Sequence, residues 1–237
     1  PLPEPVLLLR AFAKRSYRMP TFNDLYYTDM GNALLKPESA VQYDGGLVVE
    51  KSFVSGLLSH VRLQADAYYN TVHNKIVAYP KGQQFRWTML NLGRVHITGV
   101  DAQAEATLCP VRDLAVTARL QYTYQKAIDV TSPRNSFYRD QIPYIPWHSG
   151  SAIVNVAWRK WSLNYSFIYS GERYSQQENI AYNHLEPWYT SDMSLAWDNK
   201  RWRVNLDVNN VFSQDYDVIL NYPMPKRNFM LTVEWRI

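Results

Sequence analysis

The chain has 237 residues, 25 Lys and Arg against 21 Asp and Glu, and a net charge of +4. Its mean hydropathy of −0.37, with no run of about 18 apolar residues, excludes a transmembrane helix but not a barrel, where only alternate residues face lipid. Scattered cations exclude the basic stripe of a nucleic-acid binder, and the one cysteine, Cys109, excludes an internal disulfide.

Taken in chain order, Leu7 to Arg18 and Glu38 to Lys51 carry a weak alternation of apolar and polar residues. From His60 to Ile76 it is clear: Val61, Leu63, Ala65, Ala67 and Tyr69 interleave with Arg62, Gln64, Asp66, Tyr68 and Asn70. Successive strand side chains point to opposite faces, so this segment predicts a strand with one oily and one polar face. Val100 to Thr107 and Leu114 to Thr123 repeat the pattern. Ser149 to Trp158, Leu163 to Ser175 and Thr190 to Asp198 follow it more weakly. Trp202 to Val208 and Phe229 to Arg236 restore it. The sum is about ten strands, long for a soluble sheet, and no helix of any length.

The connections alternate. Short ones fall at Lys51–Ser59, Pro110–Asp113, Arg159–Lys160 and Asp198–Arg201. Long ones fall at Met19–Pro37, Ala78–Leu90, Asp129–Pro146, Gly171–Pro187 and Ser213–Lys226. Short turns at one end and long loops at the other predict the wall of an outer-membrane barrel. Trp158 and Trp161 bracket one short turn, Trp197 and Trp202 another, and Trp235 falls at the same level. There an indole can bury its ring and keep its N–H among headgroups; the alternative is that these are ordinary core aromatics.

Three stretches carry a family resemblance. Arg18-Met19-Pro20-Thr21-Phe22-Asn23-Asp24-Leu25-Tyr26-Tyr27 is followed by Gly31-Asn32 and Leu35-Lys36-Pro37-Glu38. Asn91-Leu92-Gly93 leads to Gly99-Val100-Asp101, and Asn209-Asn210-Val211-Phe212 leads to Tyr216 and Tyr222-Pro223-Met224-Pro225. In this order they resemble the C-terminal half of the barrel of TonB-dependent outer-membrane receptors, those for siderophores, haem and cobalamin being the most similar. The resemblance implies an all-β, antiparallel, up-and-down set of strands belonging to a larger 22-stranded barrel, whose plug domain and TonB box lie outside residues 1–237. Pro1 to Pro5 reads as neither a signal peptide nor a natural start, which agrees with a fragment. The family's last strand ends in an aromatic residue, where this chain has Arg236-Ile237 after Trp235.

The implied function is receptor and transporter rather than enzyme, in the outer membrane of a Gram-negative bacterium. Its implied partners are outer-membrane lipid, the TonB complex through the plug, and a metal-chelate or cobalamin ligand, with no nucleic acid. Candidate ligand contacts on the long loops are Tyr26, Tyr27, Phe85, Arg86, Trp87, Phe137, Tyr138, Arg139, Tyr182 and Tyr222. Aromatics and Arg bury area at low entropy cost; the alternative is an outer aromatic girdle. The polar row Arg62, Asp66, Asp101, Glu105, Arg119, Arg203 and Asp207 reads as a hydrated wall against a plug, or else as a substrate path.

The five histidines show no zinc-type spacing and Cys109 cannot complete a site, so no metal or cofactor is expected. The first competing reading is a self-contained ten-stranded barrel enzyme, a protease using Asp215 and Asp217 with His184. The second is a soluble β-sandwich binding module.

Overall fold

The structure, a computed structural model, describes residues 5–80, 87–199 and 201–236. Seven strands come first: β1 (Val6–Arg18), β2 (Glu38–Ser52), β3 (Leu58–Pro80), β4 (Trp87–Val111), β5 (Leu114–Asp129), β6 (His148–Trp158) and β7 (Trp161–Ser170). Then come β8 (Arg173–Tyr174), β9 (His184–Leu185), β10 (Trp188–Asp198), β11 (Trp202–Asn209), β12 (Asp217–Ile219), β13 (Tyr222–Pro223) and β14 (Asn228–Trp235). Ten of them form one sheet in the order β1-β2-β3-β4-β5-β6-β7-β10-β11-β14, while β8–β9 and β12–β13 are small hairpins within long connections. Every neighbouring pair in the large sheet is antiparallel.

The register sorts the two faces as the alternation predicts. Leu7, Val49, Leu63, Ala104 and Leu120 are successive cross-strand partners on the apolar face. Glu50, Arg62, Glu105 and Arg119 are partners on the polar one, with alternating charge. Opposite charges directly across an antiparallel pair attract, and Arg119 Nε donates to Glu105 Oε2 at 2.7 Å. All five turn-end tryptophans stand on the apolar face: Trp158 opposite Trp161, Trp161 opposite Trp197, Trp202 opposite Trp235. Trp158 and Trp235 are 49% and 61% exposed, which rules out a core role.

The sheet is a single open layer: β1 and β14 lie at its two ends and do not pair with each other. A closed ten-stranded barrel and a two-sheet sandwich are therefore both corrected, since no second large sheet exists among the described residues. Two local expectations are also corrected. The loop expected over Ala78–Leu90 is largely ladder, with pairing continuing to Pro80 opposite Trp87. β7 stops at Ser170 rather than Ser175, because Arg173 and Tyr174 turn away to pair with Leu185 and His184.

A short helix, α1 (Phe22–Tyr26), interrupts the first long loop. Thr21 Oγ1 accepts from the Asp24 N–H at 3.2 Å and Asp24 Oδ2 from the Thr21 N–H at 2.9 Å. This reciprocal cap satisfies two donors that a helix start leaves open. Gly31 closes the turn: a Cβ there would lie 2.7 Å from the Leu25 carbonyl.

Candidate functional site

The wall's polar face and its long-loop end gather the polar and aromatic side chains of the candidate site. On the polar face Asn155, Asn164, Arg203, Asn205, Asp207 and Glu234 line a concavity of about 460 Å³ near the short-turn end. Nearer the loops, Arg10 Nε donates to Asp66 Oδ1 at 2.8 Å, Gln64 donates to Asp66 Oδ2 at 2.8 Å, and Thr123 donates to Asp101 at 2.6 Å. The charged row expected on this side is thus present and largely paired within the wall.

The long loops are built into one belt. The first loop is fixed to the β3–β4 hairpin by mutual bonds: the Met89 N–H donates to Met30 O at 3.0 Å, and Asn32 Nδ2 donates to Met89 O at 3.0 Å. Asn91 Nδ2 donates to Asn74 O and Lys36 O, and Asn91 Oδ1 accepts from the Lys36 N–H at 2.8 Å. From the hairpin, Trp87 meets Tyr144 with ring centroids 5.5 Å apart.

Tyr144 belongs to the loop between β5 and β6, which folds over a small apolar core of Ala40, Val72, Leu92, Val95, Ala127 and Ile142. Gln141 anchors it and is fully buried. Its Oε1 accepts from the Ala127 N–H at 2.8 Å, and its Nε2 donates to Gln125 O and Ile145 O, both at 3.1 Å. A buried amide satisfied on both sides is rigid, because any displacement leaves a desolvated polar group unpaired.

The same segment is stitched to the loop after β7. Asn179 exchanges bonds with the Gln141 backbone, Oδ1 accepting at 2.7 Å and Nδ2 donating at 3.0 Å. The Asn179 N–H donates to Asp140 at 2.9 Å, Ser136 donates to Glu178, and the Tyr144 N–H donates to Tyr174 O at 2.8 Å. Tyr144 holds this place with φ of 61°, in the left-handed region. Burial pushes its phenol above the ordinary tyrosine value, against the opposing pull of the Leu220 N–H and the Arg173 charge.

The last joint is Arg173, 3% exposed. It donates to Glu186 O at 3.0 Å, Asp217 O at 2.6 Å and Val218 O at 3.3 Å. Its guanidinium is held by carbonyl dipoles from two loops, and burial pulls it below its usual range. Five donors in a rigid fork let one side chain do this. Beside it Trp188 stacks on Tyr216, 4.7 Å between centroids at 25°.

Of the contacts expected from sequence, the structure brings only Trp87 into this belt by a ring contact. Tyr26 and Tyr27 stand exposed on and just after α1, Tyr182 is 84% exposed, and Tyr222 projects from β13. Phe137 and Tyr138 are half-buried and Arg139 is exposed, with φ of 71°. Arg86 and Phe85 lie outside the described residues. The structuring residues Gln141, Tyr144, Arg173 and Asn179 were missed. Two Ile-Pro pairs flanking Tyr144 were the available signal, since each forces its isoleucine into extended backbone.

The proposed protease trio does not assemble. His184 faces Glu172 at 3.4 Å and Glu186 at 3.5 Å, Asp215 pairs with Lys226 at 3.0 Å, and Asp217 accepts the Asn221 N–H at 3.0 Å.

An antiparallel meander, apolar outside and polar inside, with an indole girdle at the turn end and a bonded loop layer at the other, defines part of the wall of a transmembrane β-barrel. The chain belongs to the TonB-dependent receptor family: the family described as "TonB dependent receptor-like, beta-barrel" matches residues 2–211. It is 26% identical over 239 residues to the vitamin B12 transporter BtuB of Photobacterium profundum, covering 97% of this chain and 35% of that protein. Over 88 residues it is 32% identical to the vitamin B12 transporter BtuB of Vibrio vulnificus, covering 37% of this chain and 13% of that protein. Among solved structures it is similar to the copper transporter OprC (TM-score 0.66, 16% identity, 96% of this chain and 36% of that one). The ferric-catecholate import receptor Fiu from K12 E. coli is also similar (TM-score 0.66, 18% identity, 96% and 32%). The chain thus spans about a third or less of the relatives it matches. These are transporters and receptors, not enzymes.

Proposed function

We propose that this chain is the C-terminal barrel portion of an outer-membrane receptor for TonB-dependent uptake of a scarce metal chelate, with cobalamin the first candidate ahead of iron–siderophore and haem. The observation that carries the reading is the belt of long loops. Gln141, Asn179, Arg173 and the Trp87–Tyr144 contact hold four connections in one layer. Preorganised loops of this kind bind without a large ordering cost. Cobalamin is placed first because the Photobacterium profundum and Vibrio vulnificus relatives named above are both vitamin B12 transporters.

On this reading the long loops face outside and residues 1–237 supply only part of a wall, the plug and other strands coming from the rest of a longer protein. The open edges at β1 and β14 support this, since unpaired strand edges are a liability unless covered. The polar face would then hydrate and hold the plug, and TonB would act through that plug. Tyr26, Tyr27, Trp87, Phe137, Tyr138, Arg139, Tyr182 and Tyr222, with Arg86, remain candidate contacts on the ligand side.

The test is calorimetric titration of the intact receptor with cyanocobalamin and, separately, with ferric enterobactin. Saturable cobalamin binding at one site supports the ranking. Saturable binding of the ferric chelate alone would reverse it.

A further inference from the structure

The wall's outward face sorts its charges unevenly. The register places every Asp and Glu of the ten wall strands on the inner face, as with Asp66 opposite Asp101, Glu105 opposite Arg119 and Asp207 opposite Ser194. The outward face therefore carries no carboxylate, yet at its long-loop end it carries Arg94, Lys126 and three histidines.

These residues form a line. His148 lies opposite Tyr124, and Lys126 is two residues further up β5. Lys126 lies opposite Thr98, with His96 two residues further up β4. His96 lies opposite Thr71, with His73 two residues further up β3 and directly across from Arg94. The row thus climbs two residues per strand. The aromatic level climbs identically, from Tyr122 through Val100 to Tyr69, since Tyr122 lies opposite Ala102 and Val100 opposite Ala67. His148, Lys126, His96 and His73 sit four positions above that level, about 13 Å of strand, or about 10 Å of height at the usual barrel tilt. That is the depth of headgroups just beyond an interfacial aromatic girdle. Arg94 sits two positions above His96 on the same strand.

The tyrosines also orient the row. Tyr122 Oη meets His148 Nδ1 at 2.7 Å and Tyr69 Oη meets His96 Nδ1 at 3.4 Å. With Nδ1 engaged, each imidazole turns Nε2 away from its tyrosine, and neither Nε2 has a hydrogen-bond partner among the described residues. Lys126 Nζ lies 5.7 Å from the Trp147 ring, and Arg94 is exposed.

We infer that this outward row on β3–β6, centred on Arg94, His96, Lys126 and His148, is a binding site for the phosphate groups of an anionic glycolipid in the outer leaflet. Guanidinium, ammonium and imidazole N–H groups are the donors phosphate takes, and a carboxylate-free face removes the repulsion that would oppose it. The inference rests on the outer-membrane reading above.

The experiment uses the intact receptor with phosphatidylcholine vesicles containing diphosphoryl lipid A, against vesicles with the same lipid stripped of phosphate. Wild-type protein binds the phosphorylated vesicles more tightly. The R94Q/K126Q pair weakens that binding roughly thirty-fold, from two cations each worth about a factor of five near an anionic surface. Lys51→Gln, on the outward face at the opposite end, leaves it unchanged. Equal binding by R94Q/K126Q, or by the stripped lipid, overturns the proposal. Full displacement by inorganic phosphate at matched concentration also overturns it, marking a free-phosphate site. If the double variant fails to fold, the two wild-type vesicle arms still decide. Cobalamin titration of the same sample reports the receptor reading separately, so either can fail alone.

Discussion

Arg10 reaches Asp66 across an intervening strand: the two lie on β1 and β3, and the residue between them on β2 is Gly46. A Cβ on Gly46 would stand 1.8 Å from Asp66 Oδ1 and 2.9 Å from Arg10 Nε. The glycine is therefore a window through which a cation on the outermost strand pairs with a buried carboxylate two strands away.

Gly46→Ala closes that window and should destabilise the barrel by about 1–3 kcal/mol, the usual cost of overpacking. Its neighbour Gly45 has nothing within 4 Å of a built Cβ, so Gly45→Ala is the matched control. Thermal unfolding of the intact receptor in detergent should separate the two, with only Gly46→Ala lowering the midpoint. Equal midpoints would show that the pair yields without cost.

Gln141→Leu keeps the volume of the buried anchor but strands the Ala127 N–H and the Gln125 and Ile145 carbonyls. Leaving such groups unsatisfied costs about 1–3 kcal/mol each. Hydrogen exchange should accelerate at the Ala127 amide and through 130–147, while strands β10 and β11 keep their protection. Unchanged exchange at Ala127 would mean that the loop is held by its apolar contacts alone.

Arg173→Lys keeps the charge but loses the fork, so it cannot serve Glu186, Asp217 and Val218 together. The loops on either side of β10 should loosen, and ligand affinity should fall by roughly tenfold, the loss of one charged hydrogen bond. Proteolytic nicking within 171–187 and 213–226 should rise with it. A variant that nicks faster yet binds normally would place the ligand elsewhere.

Tyr144 gives the belt a pH limit. Its pKa is raised in the folded state, so the stabilisation it brings is complete below the unfolded value of about 10 and declines as pH climbs from there through the folded value. Tyr144→Phe should flatten the loss of loop order between neutral and strongly alkaline pH, read by near-ultraviolet circular dichroism. An unchanged alkaline transition would assign it to another group.

Much of the wall was legible because lipid on one side and water on the other impose a period of two. Leu63, Ala65 and Ala67 announce a face, as do Leu114, Val116 and Ala118, and the register confirms both. The turn-end tryptophans were legible for the same reason, since an interface fixes their level. The extension of β3 and β4 was not, because Tyr79-Pro80 and Trp87 lie beyond the alternating stretch and read as a connection. The Thr21–Asp24 cap stood in the sequence and was passed over because its helix is only five residues long.

The belt of bonded loops was the least legible part. Arg173 binds carbonyl oxygens, and a carbonyl has no residue type to announce it. Gln141 likewise serves backbone groups, so its importance follows only from where the chain folds. Loop aromatics such as Tyr26 and Tyr182 drew attention by type, yet both stand exposed and outside the bonded network.

The most direct test of the central claim is uptake of labelled cyanocobalamin by cells that carry the intact receptor, with and without a working TonB. The account predicts accumulation that saturates, requires TonB and falls with Arg173→Lys. Accumulation independent of TonB, or none while a ferric chelate accumulates, would contradict it.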